Sequence, residues 1–140
     1  MQGTKIMQVQ PYLFFDGRCD EALEFYKRTV GAKVGMLMRF KDAPDQSMVS
    51  AGSENKIMHA QVQIGDTTVL ASDGRNQGQP KFEGFALTIT AKDEAEADKL
   101  FAALSDGGQV RMPLAKTFFS PRFGMLADKF GVSWMVLVAQ

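Results

Sequence analysis

The sequence has only one cysteine and one histidine among its 140 residues. A lone cysteine cannot form an internal disulfide, which fits a reducing compartment. The chain also lacks an excess of either charge, because 16 Lys and Arg residues balance 16 Asp and Glu residues. No basic stripe is present, so we expect no nucleic-acid partner. A net charge of zero permits self-association, and a homodimer is expected.

Long apolar runs are missing as well. The longest run, Trp134 to Ala139, is far shorter than the roughly 20 residues that a membrane-spanning helix requires. Residues 1–7 contain no apolar stretch that is typical of a signal peptide. We therefore expect a cytoplasmic protein with no membrane partner, a flexible N-terminus over residues 1–6 and a single domain over residues 7–140.

One pattern of residues occurs twice in the chain. The helix start at residues 20–26 has a counterpart at residues 93–101, and Gly65–Leu70 has a counterpart at Gly131–Val136. The two pairs differ in spacing, which an extra loop within residues 41–55 explains. Because a duplicated half cannot bury its own sheet face, it must pair with its twin. A cleft between the two sheets would bind a small molecule.

Hydrophobic periodicity gives each half the order strand, helix and three further strands. The predicted elements are strand 7–15, helix 20–30, strand 34–40, loop 41–55, strands 56–64 and 67–72, linker 73–81, strand 82–90, helix 93–105, and strands 109–114, 123–128 and 132–138. Pro113 predicts that strand 109–114 lies at a sheet edge. The order predicts an α+β fold of two βαβββ modules, at residues 7–73 and 82–140. A ferredoxin-like α+β dimer is the alternative, but its βαββαβ order lacks the extra hairpin.

Several stretches resemble a known family. Pro-Tyr-Leu-Phe-Phe-Asp-Gly at 11–17, followed by Ala-Leu-Glu-Phe-Tyr at 22–26, resembles the opening of PhnB-like proteins. These belong to the vicinal-oxygen-chelate superfamily, which includes glyoxalase, bleomycin-resistance and dioxygenase proteins. Residues 56–60, 119–124 and 128–134 continue the resemblance in the same order. It implies paired βαβββ modules that form an open, incomplete barrel, commonly as a dimer.

The resemblance also implies a metal site in the cup between the modules. Enzymes of the superfamily typically hold a divalent metal with ligands from the first strand, a strand after the long loop and the last strand. The equivalent positions here are Pro11 or its neighbour Gln10, His59, and Trp134, where a Glu is usual. Only His59 is a strong ligand, so we expect no complete metal site and no cofactor. His59 is the candidate ligand if a divalent metal does bind.

The sequence also indicates which residues face a ligand. His59 shares a strand face with Gln61 and Gln63, opposite an apolar row, so these three are candidate polar anchors. The aromatic residues Tyr12, Phe14, Phe119 and Trp134 would line a pocket for a flat or apolar molecule, or else pack in the core. Arg122 would hold a carboxylate or phosphate, or else lie at a solvated rim.

Cys19 precedes the first predicted helix. The helix N-terminus would lower the pKa of its thiol and give a reactive thiolate. The alternative, which we favour because no basic partner is evident, is a small residue that fills the turn.

Three functions are compatible with these residues. The first is a PhnB-like protein that binds a small organic molecule in the cup without a complete metal site. The second is a metal-dependent lyase, isomerase or dioxygenase of the same superfamily. The third is a non-catalytic dimeric binding or resistance protein. The sequence leaves open whether a reaction is catalysed.

Overall fold

The computed structural model of the chain describes residues 7–74 and 78–140. The helices are α1 (Cys19–Val30) and α2 (Glu94–Ser105). The strands are β1 (Tyr12–Phe14), β2 (Lys33–Arg39), β3 (Ile57–Ile64), β4 (Thr67–Ser72), β5 (Leu87–Ala91), β6 (Gln109–Ala115), β7 (Phe123–Ala127) and β8 (Ser133–Val138). The order βαβββ therefore occurs twice, as predicted. The expected flexible N-terminus lies outside the described residues.

The strands form two open sheets of the same topology. The first sheet has the order β1-β4-β3-β2 and the second the order β5-β8-β7-β6. In each sheet the first strand pairs in parallel with the last strand, and the other neighbours are antiparallel. The predicted α+β class with two βαβββ modules is confirmed. Strand β6 lies at a sheet edge, as Pro113 predicts.

The chain divides into two compact units. The first contains the described residues of Met1–Glu24 and Gly31–Gly78, and the second contains Phe25–Val30 and Gln79–Gln140. The second half of α1 thus belongs to the second unit. The module boundaries predicted at 7–73 and 82–140 stay a prediction, as does the barrel that the resemblance implies.

Both helices begin and end where local chemistry favours it. Asp20 and Glu21 lie in the first turn of α1, where the helix dipole favours negative charge. Gly31 follows this helix with a φ of 68°, a conformation that glycine adopts without steric cost. Asp93 caps α2, since its side chain accepts a hydrogen bond from Glu96 N at 2.8 Å.

Among the residues that the structure describes, no helix has both the length and the apolar character needed to cross a membrane.

Each sheet has one face that is largely buried. In the first unit this face carries Leu13, Ala60, Val62, Val69 and Ala71. In the second unit α2 packs on the sheet so closely that a Cβ added to Gly124 would lie 2.7 Å from the Phe101 ring. Alternation along the strands places the other side chains, among them His59 and Met135, on the opposite face of each sheet.

Three predicted segments differ clearly from the structure, whereas the other elements agree within one or two residues. Strand β1 begins only at Tyr12, and Val9 is 93% exposed, because its pairing starts where Pro11 O accepts a hydrogen bond from Leu70 N. The predicted loop 41–55 contains two short 3₁₀ turns, Phe40–Asp42 and Gln46–Met48. The predicted strand 82–90 is reduced to β5, because Gly84 has a φ of 80° and breaks the extended chain.

Candidate functional site

The first unit brings five of the predicted site residues onto one sheet face. Tyr12 lies opposite Leu70, and Leu70 lies opposite Gln61, so Tyr12 and Gln61 point to the same side. Period-two alternation places the remaining members on that side. We call Tyr12, Phe14, His59, Gln61 and Gln63 the aromatic face.

The rings of the aromatic face are in direct contact with each other. Tyr12 and Phe14 stack with centroids 4.7 Å apart and an interplanar angle of 10°. They are 38% and 42% exposed, respectively. Tyr12 Oη lies 2.8 Å from His59 Nδ1, which is a hydrogen bond between the phenol and the imidazole. The result is an apolar platform of two parallel, partly exposed rings, with one polar side chain hydrogen-bonded to Tyr12.

The state of the phenol determines what His59 offers a ligand. Burial raises the pKa of the Tyr12 hydroxyl above its usual value, so the phenol is protonated at neutral pH. When this phenol donates to Nδ1, a neutral imidazole carries its proton on Nε2. The hydrogen bond therefore orients the ring and leaves an N–H donor for a ligand.

The two glutamines of the aromatic face differ in their hydrogen bonding. Gln63 Nε2 donates to Gly65 O at 2.9 Å, and Gln63 Oε1 accepts from Thr68 Oγ1 at 3.0 Å. Its amide is thus engaged in the hairpin between β3 and β4. Gln61 is exposed, and within residues 7–74 and 78–140 its side chain makes no hydrogen bond. Of the two, Gln61 is the amide that can bind a ligand.

Trp134 lies in the core of the second unit and is only 2% exposed. Its Nε1 donates to Asp128 Oδ2 at 2.9 Å, and Tyr26 Oη donates to the same oxygen at 2.6 Å. The other carboxylate oxygen accepts from the main-chain N–H groups of Phe130 and Val132. The hydroxyl of Tyr26, the indole N–H of Trp134 and both carboxylate oxygens of Asp128 thus have hydrogen-bond partners within the second unit.

Arg122 and Phe119 also belong to the second unit. Arg122 Nε donates to Asp98 Oδ1 at 3.1 Å, and its Nη1 lies 3.6 Å from Glu94 Oε1. The guanidinium is therefore paired with two carboxylates of α2. The ring of Phe119 packs edge-on against Phe123 with centroids 5.1 Å apart. The predicted site residues thus form separate groups in the two units, and the cup between modules stays a prediction.

The donor set does not fit the metal centre that the resemblance implies. In the part of the chain that the structure describes, no three His, Cys, Asp or Glu side chains converge in a way that could hold an ion. Pro11 O already accepts a hydrogen bond from Leu70 N at 2.9 Å. The indole of Trp134 carries an N–H donor and no lone pair for a metal.

Cys19 is the first residue of α1 and is completely buried. Its main-chain N–H donates to Asp73 Oδ1 at 2.8 Å. Burial, together with the negative charge of Asp73, raises the pKa of its thiol well above the ordinary value. A buried thiol with a raised pKa is a poor nucleophile, so Cys19 is not part of the candidate site.

A cavity in the second unit was missed by the sequence reasoning. Its volume is about 420 Å³, and it is lined by Phe82, Glu83, Gly84, Phe85, Ala86, Arg111, Met125, Leu126, Ser133, Trp134 and Met135. Arg111 Nη1 donates to Ser133 Oγ at 2.9 Å on this lining. The residue that could have indicated this cavity is Gly84, whose positive φ turns the segment before β5 out of the sheet. A continuous strand over residues 82–90, as the sequence predicts, would not line a cavity in this way.

Comparison with known proteins agrees with this architecture. The family described as 3-demethylubiquinone-9 3-methyltransferase matches residues 7–137. Protein YjdN of Escherichia coli (strain K12) is 32% identical, with 96% of this chain and 97% of that protein covered. The crystal structure of PA1353 from Pseudomonas aeruginosa is 38% identical with a TM-score of 0.86, covering 96% of this chain and 99% of that one.

Two further structures connect the chain to a wider fold. A putative 3-demethylubiquinone-9 3-methyltransferase, the PhnB protein from Bacillus cereus, is 27% identical with a TM-score of 0.79, covering 95% of this chain and 100% of that one. A glyoxylase/bleomycin resistance protein/dioxygenase domain from Frankia sp. EAN1pec has a TM-score of 0.70 at 12% identity, with 98% and 100% covered, and so shares the fold. The chain belongs to the PhnB-like family, described as 3-demethylubiquinone-9 3-methyltransferase, and has the glyoxalase/bleomycin-resistance fold.

Proposed function

We propose that the protein binds a small planar organic molecule on the aromatic face of the first unit. The observation that carries this proposal is the hydrogen bond of 2.8 Å between Tyr12 Oη and His59 Nδ1, beside two stacked and partly exposed rings. A ring platform supplies apolar contact area, while one oriented imidazole supplies direction. Binding sites for small molecules combine these two features.

The energetic contributions of the platform and its polar anchors differ. Stacking a planar ligand on one aromatic ring contributes about 1 kcal/mol beyond the burial of its area. The His59 Nε2–H group and the Gln61 amide, which stands on the same strand, fix the ligand's orientation through hydrogen bonds. The rings should therefore set affinity, and the polar groups should select ligands that carry an acceptor.

Nuclear magnetic resonance of the imidazole tests this proposal directly. Because His59 is the only histidine, its two carbon-bound ring protons give signals with a unique assignment. We expect titration with 2-naphthol or quinoline to shift these signals in a saturable way. The non-planar cyclohexanol should have much less effect at equal concentration.

Variants separate the platform from the rest of the surface. Phe14→Leu should weaken 2-naphthol binding about fivefold, which corresponds to the loss of one stacking contact. Tyr12→Phe keeps the stack but releases His59, so a smaller loss is expected. Phe118→Leu is the matched control, because Phe118 is 93% exposed in the second unit and should not affect binding. His59 signals that no planar probe shifts would contradict the proposal.

The metal-dependent enzyme and the non-catalytic dimer stay predictions from the sequence. The names of these relatives describe a methyltransferase and a resistance or dioxygenase domain. Neither activity is proposed for this chain, because no observation on the described residues favours one of them.

A further inference from the structure

The cavity of the second unit combines an apolar wall with one cation. Its volume of about 420 Å³ lies within the range of small-molecule sites. The apolar lining includes the rings of Phe82 and Phe85 and the thioethers of Met125 and Met135. Aromatic and thioether side chains make favourable contacts with an aromatic ring. An aromatic body is the ligand part that this wall fits.

Arg111 is the cation of this lining, and its guanidinium is largely unused. Other arginines in the described ranges are engaged: Arg18, Arg39 and Arg122 pair with carboxylates, and Arg28 lies over the Phe25 ring. Within residues 7–74 and 78–140, Arg111 makes one side-chain hydrogen bond, to Ser133 Oγ, and no ion pair. A guanidinium has five N–H donors. Those not used by Ser133 remain for an anion.

The position of Arg111 is fixed by a contact with the second strand along in the same sheet. Arg111 stands on the edge strand β6 and reaches across β7 to Ser133 on β8. Ser133 Oγ in turn lies 3.5 Å from Phe82 O, on the segment that forms another wall of the cavity. These contacts hold the guanidinium at the cavity and reduce the entropy lost when an anion binds.

A second charged residue of the lining, Glu83, limits the charge of the ligand. Glu83 lines the same cavity as Arg111. One carboxylate is neutralised by the guanidinium, but a second negative charge would be repelled by Glu83. The lining therefore favours a monoanion over a dianion.

We propose that the cavity beside Arg111 binds a small aromatic monocarboxylate. The carboxylate accepts two hydrogen bonds from the guanidinium, a geometry that arginine provides in bidentate form. The aromatic ring lies against the phenyl rings and thioethers of the wall. All residues involved belong to the second unit, so this site is independent of the function proposed for the first unit.

The first experiment uses four probes and methionine methyl signals. The protein is labelled with ¹³C-methyl methionine and titrated with phenylacetate, with 3-phenylpropionate, with neutral 2-phenylethanol and with the dianion phenylphosphonate at pH 8. We expect both carboxylates to shift the Met125 and Met135 signals in a saturable way. The affinity for 2-phenylethanol should be at least tenfold lower, and phenylphosphonate should bind more weakly than phenylacetate. Met36 in the first unit and the His59 signals should not move.

The second experiment separates the charge from the apolar wall. Arg111→Gln should weaken phenylacetate at least tenfold and leave 2-phenylethanol within about twofold of the original protein. Arg111→Lys should give an intermediate loss, because an ammonium lacks the planar fork. Phe85→Ala should weaken both probes to the same extent. Arg18→Gln, which removes an exposed guanidinium in the first unit, is the matched control and should change neither.

Three results would overturn this inference. The first is equal affinity for phenylacetate and 2-phenylethanol. The second is no shift of the Met125 and Met135 signals at probe concentrations about tenfold above those that saturate comparable small-molecule sites. The third is an Arg111→Gln protein that is folded by circular dichroism and still binds phenylacetate as the original does. If Arg111→Gln does not fold, Arg111→Lys and Phe85→Ala test the inference. Arg111→Lys should lower the affinity for phenylacetate relative to 2-phenylethanol, whereas Phe85→Ala should lower both affinities to the same extent.

Discussion

The two units repeat one order of elements, yet different buried carboxylates hold their interiors together. In the first unit Asp73 follows β4 and accepts hydrogen bonds of 2.8 Å from three main-chain N–H groups, those of Gly17, Cys19 and Ile57. This carboxylate joins the start of α1 to the start of β3. Because all its donors are main-chain groups, their presence depends on the path of the chain and not on the side chains around it.

In the second unit Asp128 follows β7 and has two kinds of donor. Tyr26 Oη and Trp134 Nε1 share one carboxylate oxygen, while two main-chain N–H groups bond to the other. Replacement of any of these aromatic side chains would break the cluster. The comparison teaches that the two units share the course of the backbone, whereas each has its own buried polar anchor.

The free faces of the two sheets have diverged in the same way. The first unit presents stacked, exposed rings with the imidazole of His59, and the second presents a cavity beside the guanidinium of Arg111. The strand order of the two sheets is the same. The side chains of each unit, and not the shared topology, therefore determine what each unit can bind.

The largest expected effect tests the anchor of the second unit. Asp128→Ala leaves two main-chain N–H groups, an indole N–H and a phenol without their acceptor in a buried site. We expect a loss of about 3–5 kcal/mol in the free energy of unfolding, measured by urea denaturation. Asp106→Ala, an exposed aspartate after α2, is the control and should change stability by less than about 0.5 kcal/mol.

Asp73→Ala tests the anchor of the first unit in the same assay. It removes the acceptor of three main-chain N–H groups and leaves no aromatic donor stranded, so we expect a loss of about 2–4 kcal/mol. The order of the two variants is the sharper part of this prediction. A greater loss for Asp73→Ala than for Asp128→Ala would contradict the view that the side-chain donors add to the second anchor.

A pair of glycine variants compares how tightly the two sheets are packed. A Cβ on Gly124 in β7 would lie 2.7 Å from the Phe101 ring and 3.0 Å from Met112 O, whereas one on Gly35 in β2 would approach only Gln61 O, at 3.8 Å. We expect Gly124→Ala to cost about 1–3 kcal/mol in stability through overpacking. Gly35→Ala should stay within about 0.5 kcal/mol. Equal thermal and urea stability of the two variants would refute the difference in packing.

The sequence sufficed to predict the elements because their signals are local. Period-two alternation placed His59, Gln61 and Gln63 on one side of a strand, and Asp93 marked the start of α2. The errors also have local causes. The apolar Val9 predicts a longer β1 than the structure has, because pairing starts only at Pro11.

The anchors and the cavity could not be predicted, since they depend on contacts between residues far apart in the chain. Asp128 meets Tyr26 across 102 positions of sequence, and no pattern within either segment points to the other. The resemblance puts Trp134 at a ligand position, but whether this residue faces a ligand or the core depends on tertiary packing. The sequence around Arg111 does not distinguish it from other strand arginines. Its place at a cavity depends on the turn at Gly84, which forms another part of the lining.

The smallest expected effect concerns one ion pair of the first unit. Arg39 Nη1 and Nη2 donate to the two oxygens of Asp20 at 2.8 and 2.9 Å. These hydrogen bonds lower the pKa of the Asp20 carboxyl below its usual value. In the second unit Arg122 makes only longer contacts, of 3.1 Å to Asp98 and 3.6 Å to Glu94. The ion pair between Arg39 and Asp20 should therefore contribute more to stability than the contacts of Arg122 do.

Because Asp20 is 59% exposed, we expect Asp20→Asn to cost only about 0.5–1 kcal/mol at pH 7, and Asp98→Asn less. A carboxyl whose pKa is lowered on folding stabilises the protein above its unfolded-state pKa, which is about 3.9. That contribution disappears as the pH falls through the folded-state pKa. The difference between the original protein and Asp20→Asn should therefore be constant from about pH 5 to 7 and vanish in acid. Urea denaturation at a series of pH values measures it, and a difference that grows toward low pH would have the wrong sign for this ion pair.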